Sequence, residues 1–369
     1  MKVLFLAMEA FGGFGGIAQY NRDLLTALCG APEVSEVVAV PRRMPSAPES
    51  LPPNLTYITT GSASKVAYIK AVIRLIRKNA DFDLICCGHI KLLPIAVLAR
   101  LVTMAPLLLI IYGIDAWNPV RSILTKHLLS KIDFIISISD ITKQKFLGWS
   151  YLTETKFFIL PNAVTQRDYG AGPKNVELLE RYSLSGKTVL MTLGRLAAEE
   201  KYKGFDEIMD LLPALIKQIP QIAYVIAGDG DDRPRLEAKA RSLGVGDRVV
   251  FTGFIPEAEK ADHYRLADAF VMPGRGEGFG FVFLEALACG IPVVGSRLDG
   301  SREALRQGEL GLLVDPDRPD DIQAGILEAL KRPRGVIPEG LNYFSFENFT
   351  KRCHRILRQV SNPGESSEV

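Results

Sequence analysis

The chain has 369 residues, more than one hydrophobic core usually serves, so two domains of ordinary size are expected. Hydrophobic residues make up 47% of it and charged residues 23%, the balance of a soluble globular enzyme, and there is no low-complexity run or short internal repeat. A net charge of only +2, without any RNP-like, zinc-finger or helix-turn-helix pattern, argues against a nucleic-acid partner.

The charge is unevenly divided: residues 1–163 hold 17 Lys and Arg against 11 Asp and Glu, while the remainder holds 27 against 31. A basic first part favours an anionic partner or membrane surface, with a solvated face as the plain alternative. The five cysteines, Cys29, Cys86, Cys87, Cys289 and Cys353, show no C-x-x-C spacing and imply a reducing, cytoplasmic setting. The apolar start from Met1 to Ala7 is too short for a signal peptide and reads as a first strand. Leu92 to Tyr112 is long enough to span a membrane, yet Pro94, Arg100 and Pro106 divide it into a helix, Ile95 to Val102, and a buried strand, Leu107 to Tyr112.

In chain order, strands are expected at Val3–Ala7, Val37–Val40, Thr56–Thr59, Leu84–Cys87, Leu107–Tyr112, Phe134–Ser139 and Phe157–Leu160. Helical patterns between several of them imply a doubly wound parallel sheet, whose loops after the strands face a single cleft. Four glycines, Gly12, Gly13, Gly15 and Gly16, follow the first strand and precede a helix to about Leu28. Their spacing is not G-x-G-x-x-G and no acidic residue closes the second strand, so a flexible backbone wall beside a phosphate suits them better than a dinucleotide site. Lys65 to Lys78 reads as a helix with Val66, Ile69, Val72, Ile73 and Ile76 on one side and Lys70, Arg74, Arg77 and Lys78 roughly opposite. That basic face either lies in water or docks on anionic lipid. Polar residues at strand ends, His89 after the fourth strand and Tyr112 and Asp115 after the fifth, are candidates for ligand contacts in that cleft. Pro161-Asn162 then ends the first domain, followed by a linker, Thr165 to Gly172.

The second domain repeats the alternation, with strands at Thr188–Leu193, Ala223–Ala227, Val249–Thr252, Ala269–Met272, Pro292–Gly295 and Leu312–Val314. The first of these runs into Gly194-Arg195-Leu196 and, further on, Lys203-Gly204. A forked cation and a compact one beyond a strand end suit a diphosphate. Asp229 and Asp231 form a D-x-D pattern, but between a strand and a helix Asp serves as turn former and N-cap, and no metal is expected. After the fourth strand comes Gly276-Glu277-Gly278-Phe279-Gly280-Phe281 and a helix carrying Glu285. Glycines there turn amides toward an anion at a helix N-terminus, with a carboxylate at either end of the stretch. The tail from Phe344 to Val360 reads as an amphipathic helix, and Ser361 onward as disordered.

Taken in order, the Gly-Gly loop, Gly88-His89, Pro161-Asn162, the pair Arg195 and Lys203, Thr252-Gly253-Phe254-Ile255-Pro256, and Glu277 with Glu285 resemble the motifs of family 4 retaining glycosyltransferases of GT-B fold. The last two residues match that family's E-x7-E motif. The resemblance covers nearly the whole chain and implies an α/β GT-B architecture, two Rossmann-like parallel-sheet domains facing a central cleft: residues 1–163 for the acceptor and 164–344 for the nucleotide-sugar donor. The last helix, about 345–360, would cross back to the first domain. Arg195, Lys203, Glu277 and His89 would be catalytic. Gly15, Gly16, Phe254, Ile255, Gly278, Phe279, Gly280, Phe281 and Glu285 would join Arg195, Lys203 and Glu277 in binding the donor. His89, Tyr112 and Asp115 would meet the acceptor. Tyr112 stands where the family usually has a His, which leaves the protein without its expected base.

The implied reaction is metal-independent, cofactor-free retaining transfer of a hexose from a UDP- or GDP-sugar to a glycan or lipid-linked acceptor, at the inner face of an anionic membrane. A sugar-nucleotide 2-epimerase and a non-catalytic two-domain sugar-binding protein are the alternatives. The first needs carboxylates and a His for proton chemistry; the second would be exported.

Overall fold

The computed structural model describes residues 1–48, 50–165 and 169–361. Part of the expected linker, residues 166–168, and nearly all of the expected disordered tail, residues 362–369, lie outside the described residues. The chain divides into two compact units, Met1–Ala163 with Phe346–Val369, and Val164–Ser345.

The first unit runs β1 Lys2–Ala7, α1 Gly16–Cys29, β2 Glu36–Pro41, β3 Leu55–Tyr57, α2 Lys65–Lys78, β4 Leu84–Gly88, α3 Leu93–Thr103 and β5 Leu107–Ile111. It continues through α4 Ile114–Trp117, α5 Ile123–Leu128, β6 Phe134–Ser137, α6 Asp140–Ser150 and β7 Phe157–Ile159. Its seven strands lie in the order β3-β2-β1-β4-β5-β6-β7, and every pairing is parallel. The uninterrupted apolar runs Leu84–Gly88 and Leu107–Ile111 are buried throughout, the pattern of central parallel strands covered on both faces. Helix α2 starts where Ser64 accepts the Ala67 amide and buries Tyr68, Val72, Leu75 and Ile76. Pro94 sits in the first turn of α3, where its missing N–H costs nothing, so it starts that helix rather than breaking it. Among the described residues no helix is long and apolar enough to cross a membrane.

The second unit holds α7 Val176–Arg181, β8 Thr188–Leu193, α8 Phe205–Gln218, β9 Ile222–Ala227, α9 Arg233–Ser242, β10 Val249–Gly253 and α10 Lys260–Leu266. After these come β11 Ala269–Met272, α11 Phe281–Ala288, β12 Val293–Ser296, α12 Ser301–Ala304, β13 Leu312–Val314 and α13 Pro319–Ala329. Six parallel strands lie in the order β10-β9-β8-β11-β12-β13. One core joins Leu190, Ile226, Val271 and Val294 of the sheet to Ile208, Leu212 and Leu215 of α8.

The final helix, α14 Phe346–Ser361, belongs to the first unit and packs on α1. Phe349, Cys353, Ile356, Leu357 and Val360, at helical spacing, form its buried side. Tyr20 of α1 meets Phe349 edge-on at 5.7 Å, and His354 Nε2 lies 2.9 Å from the Ala27 carbonyl oxygen. All five cysteines are buried and unpaired.

Candidate active site

In an open parallel sheet, ligands gather at the carboxyl ends of the strands where the winding reverses. In the second unit that point lies between β8 and β11, because the chain builds outward from β8 to β9 and β10, then returns to β11 on the other side. The loop after β8 carries Arg195 and Lys203; the loop after β11 carries Glu277 and leads into α11. The structure packs these loops together. Arg275 N–H donates to the Tyr202 carbonyl over 2.8 Å, and a Cβ added at Gly276 would enter the Tyr202 ring at 2.4 Å.

Lys203 lies over Gly194, where an added Cβ would stand 3.4 Å from its Nζ, and only 16% of its side chain is exposed. Arg195, by contrast, is 70% exposed. Burial lowers the Lys203 pKa, the Glu277 charge works against that shift, and Arg195 adds to it. Burial likewise raises the Glu277 pKa, opposed first by Lys203 and, more weakly, by the amides of Phe279 and Gly278. The Lys203–Glu277 attraction thus appears from both sides.

A carboxylate not foreseen in the sequence joins the two cations. Glu200 Oε1 accepts from Arg195 Nη2, and its Oε2 is 3.0 Å from Lys203 Nζ. Lys201, two residues before Lys203, is exposed.

Asp299, buried after β12, holds the glycine loop. Its Oδ2 accepts the Glu277 amide at 2.9 Å, its Oδ1 accepts the Ser301 amide at 3.0 Å and the Ser301 hydroxyl, and Gly300 N–H donates to the Glu277 carbonyl over 2.8 Å. Gly280 precedes α11 with φ 95°, and a Cβ there would stand 2.5 Å from the Phe283 ring, so only glycine fits. No side chain caps α11, which leaves its first amides available to an anion.

Glu285, the carboxylate at the far end of the stretch, is already paired. It is buried, with Lys260 Nζ 2.9 Å from Oε1 and the Tyr264 hydroxyl donating to Oε2 over 2.6 Å. Phe254 is 70% exposed just after β10, while Ile255 is buried. The D-x-D residues hold turns instead of capping α9: Asp229 accepts the Gly230 amide, and Asp231 accepts the Ala198 amide at 3.0 Å. Among the described residues, no group of three or more His, Cys, Asp and Glu is placed to hold a metal ion.

In the first unit the winding reverses between β1 and β4. Gly15 and Gly16 are exposed at the start of α1, Gly15 with φ 82° and α1 without a side-chain cap. His89 is buried, and its Nδ1 accepts the Lys91 amide at 3.0 Å, so the neutral ring carries its proton on Nε2. Burial, then the Lys91 charge, push its pKa down to about 4. His89 is therefore an N–H donor at neutral pH. Asp115 is half-buried; its Oδ1 is 3.3 Å from the Tyr112 amide, while Oδ2 is buried without a partner. Burial pushes its pKa up to about 7.

Tyr112 turns inward, unlike the acceptor contact suggested by its sequence position. Strand β5 ends at Ile111, and the phenol donates to Asn21 Oδ1 at 2.7 Å, with the Gly88 carbonyl oxygen at 3.0 Å. Asn21 is fixed in that orientation because its Nδ2 donates to the Glu9 carbonyl. Burial raises the Tyr112 pKa well above its ordinary value.

Comparison with known proteins gives the family. The family model for glycosyl transferases group 1 matches residues 180–341. A GDP-mannose-dependent alpha-(1-6)-phosphatidylinositol monomannoside mannosyltransferase of Mycolicibacterium smegmatis is 31% identical over 262 residues, 68% of each chain. A phosphatidyl-myo-inositol mannosyltransferase of Mycobacterium tuberculosis is 28% identical over 346 residues, 89% of this chain and 85% of that one. The structure of a sucrose-phosphate synthase from Thermosynechococcus elongatus superimposes with a TM-score of 0.79 at 20% identity, over 98% of this chain and all of the other. From the two Rossmann-like parallel sheets and these relatives together, the chain belongs to the group 1 glycosyl transferases and is a family 4 glycosyltransferase of GT-B fold.

Proposed function

We propose that the protein transfers a mannosyl group from GDP-mannose to a hydroxyl of a lipid-linked acceptor, without metal and with retention of the donor's anomeric configuration. The observation that carries this reading is the meeting of Arg195, Lys203 and Glu277 with the uncapped start of α11 at the β8–β11 switch point. Breaking the bond between sugar and phosphate develops charge on the diphosphate. Fixed cations and amide dipoles aimed there lower that barrier by themselves. The GDP-mannose-dependent relative favours GDP-mannose over a UDP-sugar, and both mannosyltransferase relatives favour a phosphatidylinositol-based lipid over a free glycan.

In this reading Arg195, Lys203 and the amides of Gly280 and Phe281 take the leaving diphosphate. Glu277 and the backbone of Gly278 and Phe279 hold sugar hydroxyls, Glu285 meets the ribose by exchanging one of its partners, and Phe254 with Ile255 flanks the base. His89 donates from Nε2 to a hydroxyl, and Asp115 offers Oδ2 to the acceptor. The sugar–phosphate bond breaks, the bond from C1 to the acceptor oxygen forms on the same face, and the acceptor proton passes to the departing phosphate. No carboxylate nucleophile of the kind found in retaining glycosidases is then required. Tyr112, held neutral by burial, supplies no base.

The acceptor reaches the enzyme at the cytoplasmic face of an anionic membrane. Lys70, Arg74, Arg77 and Lys78 of α2 are exposed, and none has a carboxylate partner among the described residues. The neighbouring α3 and α5 expose Leu101, Ile123 and Leu124. Five buried thiols accord with a reducing compartment.

A thermal-shift panel of GDP-, UDP- and ADP-sugars tests the donor. A ligand at 100 times its dissociation constant adds roughly 2.7 kcal/mol, so GDP-mannose is expected to raise Tm by several degrees. No shift with any member would contradict the reading.

A further inference from the structure

Glu200 contacts both cations of the β8–β11 junction, and the proposed reaction gives it no part. Its two carboxylate oxygens are divided between the cations, Oε1 on Arg195 and Oε2 on Lys203, and its side chain is only 15% exposed. The turn that carries it is fixed at both ends. Ala198 N–H is held by Asp231 Oδ1 at 3.0 Å, Tyr202 by Arg275, and Gly204 lies against Pro273, where an added Cβ would meet backbone at 2.8 Å. Between these anchors Glu200 itself departs from helical geometry, with φ −107° and ψ 31°, and its N–H donates to the Ala197 carbonyl over 2.8 Å. A backbone so anchored delivers the carboxylate to one place. Only the side chain has freedom to leave it.

We infer that Glu200 is an internal competitor for the diphosphate, holding the same N–H donors on Arg195 and Lys203 that the leaving group is assigned. This rests on the diphosphate reading of those two cations. A carboxylate spanning two cations and a phosphate bridging them make the same charge-assisted hydrogen bonds, so one excludes the other. Arg195 is largely solvated and its pair with Glu200 opens at small cost. Glu200 swings off when a nucleoside diphosphate binds, and its return weakens the hold on the spent one. The residue therefore lowers product affinity and speeds product release, a step that often limits turnover.

The test is titration of GDP by calorimetry into wild type, Glu200→Gln, Glu199→Gln and Arg195→Ala. Glu199 is an exposed neighbour, so its substitution removes the same net charge without the contact. Glu200→Gln is expected to bind GDP about tenfold more tightly, the loss of one competing charge-assisted contact, and to show a lower kcat at saturating donor. Glu199→Gln should stay near wild type and Arg195→Ala should bind more weakly. Glu200→Asp, too short to span both cations, should fall between wild type and Glu200→Gln, and it carries the test if the latter loses its fold. Unchanged or weaker GDP binding by Glu200→Gln, with Arg195→Ala still weakened, would overturn the role of Glu200 alone and make it a support for the cations. If neither substitution changes GDP affinity, the diphosphate reading fails with it.

Discussion

Lys203 is the more shielded of the two cations at the β8–β11 junction, so its charge acts through less water than that of Arg195. Lys203→Ala is expected to lower kcat/KM for the donor by about 10²- to 10³-fold, the usual loss of one fixed donor to developing charge. Arg195→Ala should lose somewhat less, and both should melt close to wild type. Steady-state kinetics with a melting curve checks this; near-normal turnover in both would remove the anion site from the account. Asp115 gives a prediction in pH. Its folded pKa is raised by burial from 3.8 to about 7, so its ionisation destabilises the fold as pH rises through that window. Asp115→Asn should therefore raise Tm at pH 8, with the gain fading below about pH 4; an equal effect at both pH values would contradict the raised pKa. At this scale the sequence placed Arg195 and Glu277 in the loops after β8 and β11, and the structure packs those loops together, while Lys203 was singled out by its resemblance to the family's motif. It did not disclose Asp299, which reaches Glu277 across 22 residues, or Lys260, which reaches Glu285 across 25. Such pairings depend on which loops the sheet order brings together, and Glu200 on a kink with no sequence signal.

Helix α2 shows how far an element can be read from its own residues. Ser64 caps it and the observed span, Lys65–Lys78, is the one the pattern marks out, but of the side expected to be apolar only Val72 and Ile76 are buried, Val66 is 60% exposed, and Tyr68 and Leu75 complete the buried face. What its basic face touches is a separate matter. Each cation near an anionic surface is worth about 1 kcal/mol, so Lys70→Glu with Arg74→Glu and Arg77→Glu should abolish flotation with anionic vesicles at low salt while leaving turnover of a water-soluble acceptor intact. Equal flotation of wild type and variant would place this face in water. Strands were equally legible, since β4, β5 and β9 are buried from end to end and carry unbroken apolar runs. Short elements were not: α4 and α12 span four residues each, too few for any period to register. Tyr112 was misjudged for a related reason. Its apolar neighbours extend the strand pattern by one residue, whereas the chain bends at Gly113, φ 140°, and turns the phenol toward Asn21.

At the scale of the whole chain, the alternation of strands and helices in both parts is what made two doubly wound sheets the economical reading, and the parallel orders on either side of β1 and β8 are its realisation. The apolar face of α14 announced that this helix packs on something; its partner, α1, follows from tertiary contact and not from periodicity. The central claim joins the switch point of the second unit to a leaving nucleoside diphosphate. It is tested most directly by incubating the purified protein with GDP-[14C]mannose and phosphatidylinositol monomannoside in anionic vesicles, with EDTA present, and with UDP-glucose in parallel. The account predicts label in the lipid from GDP-mannose, an α-linkage by NMR, and loss of transfer in Lys203→Ala. A folded protein that transfers no sugar from any nucleotide donor, or that forms a β-linkage from α-linked GDP-mannose, would contradict it.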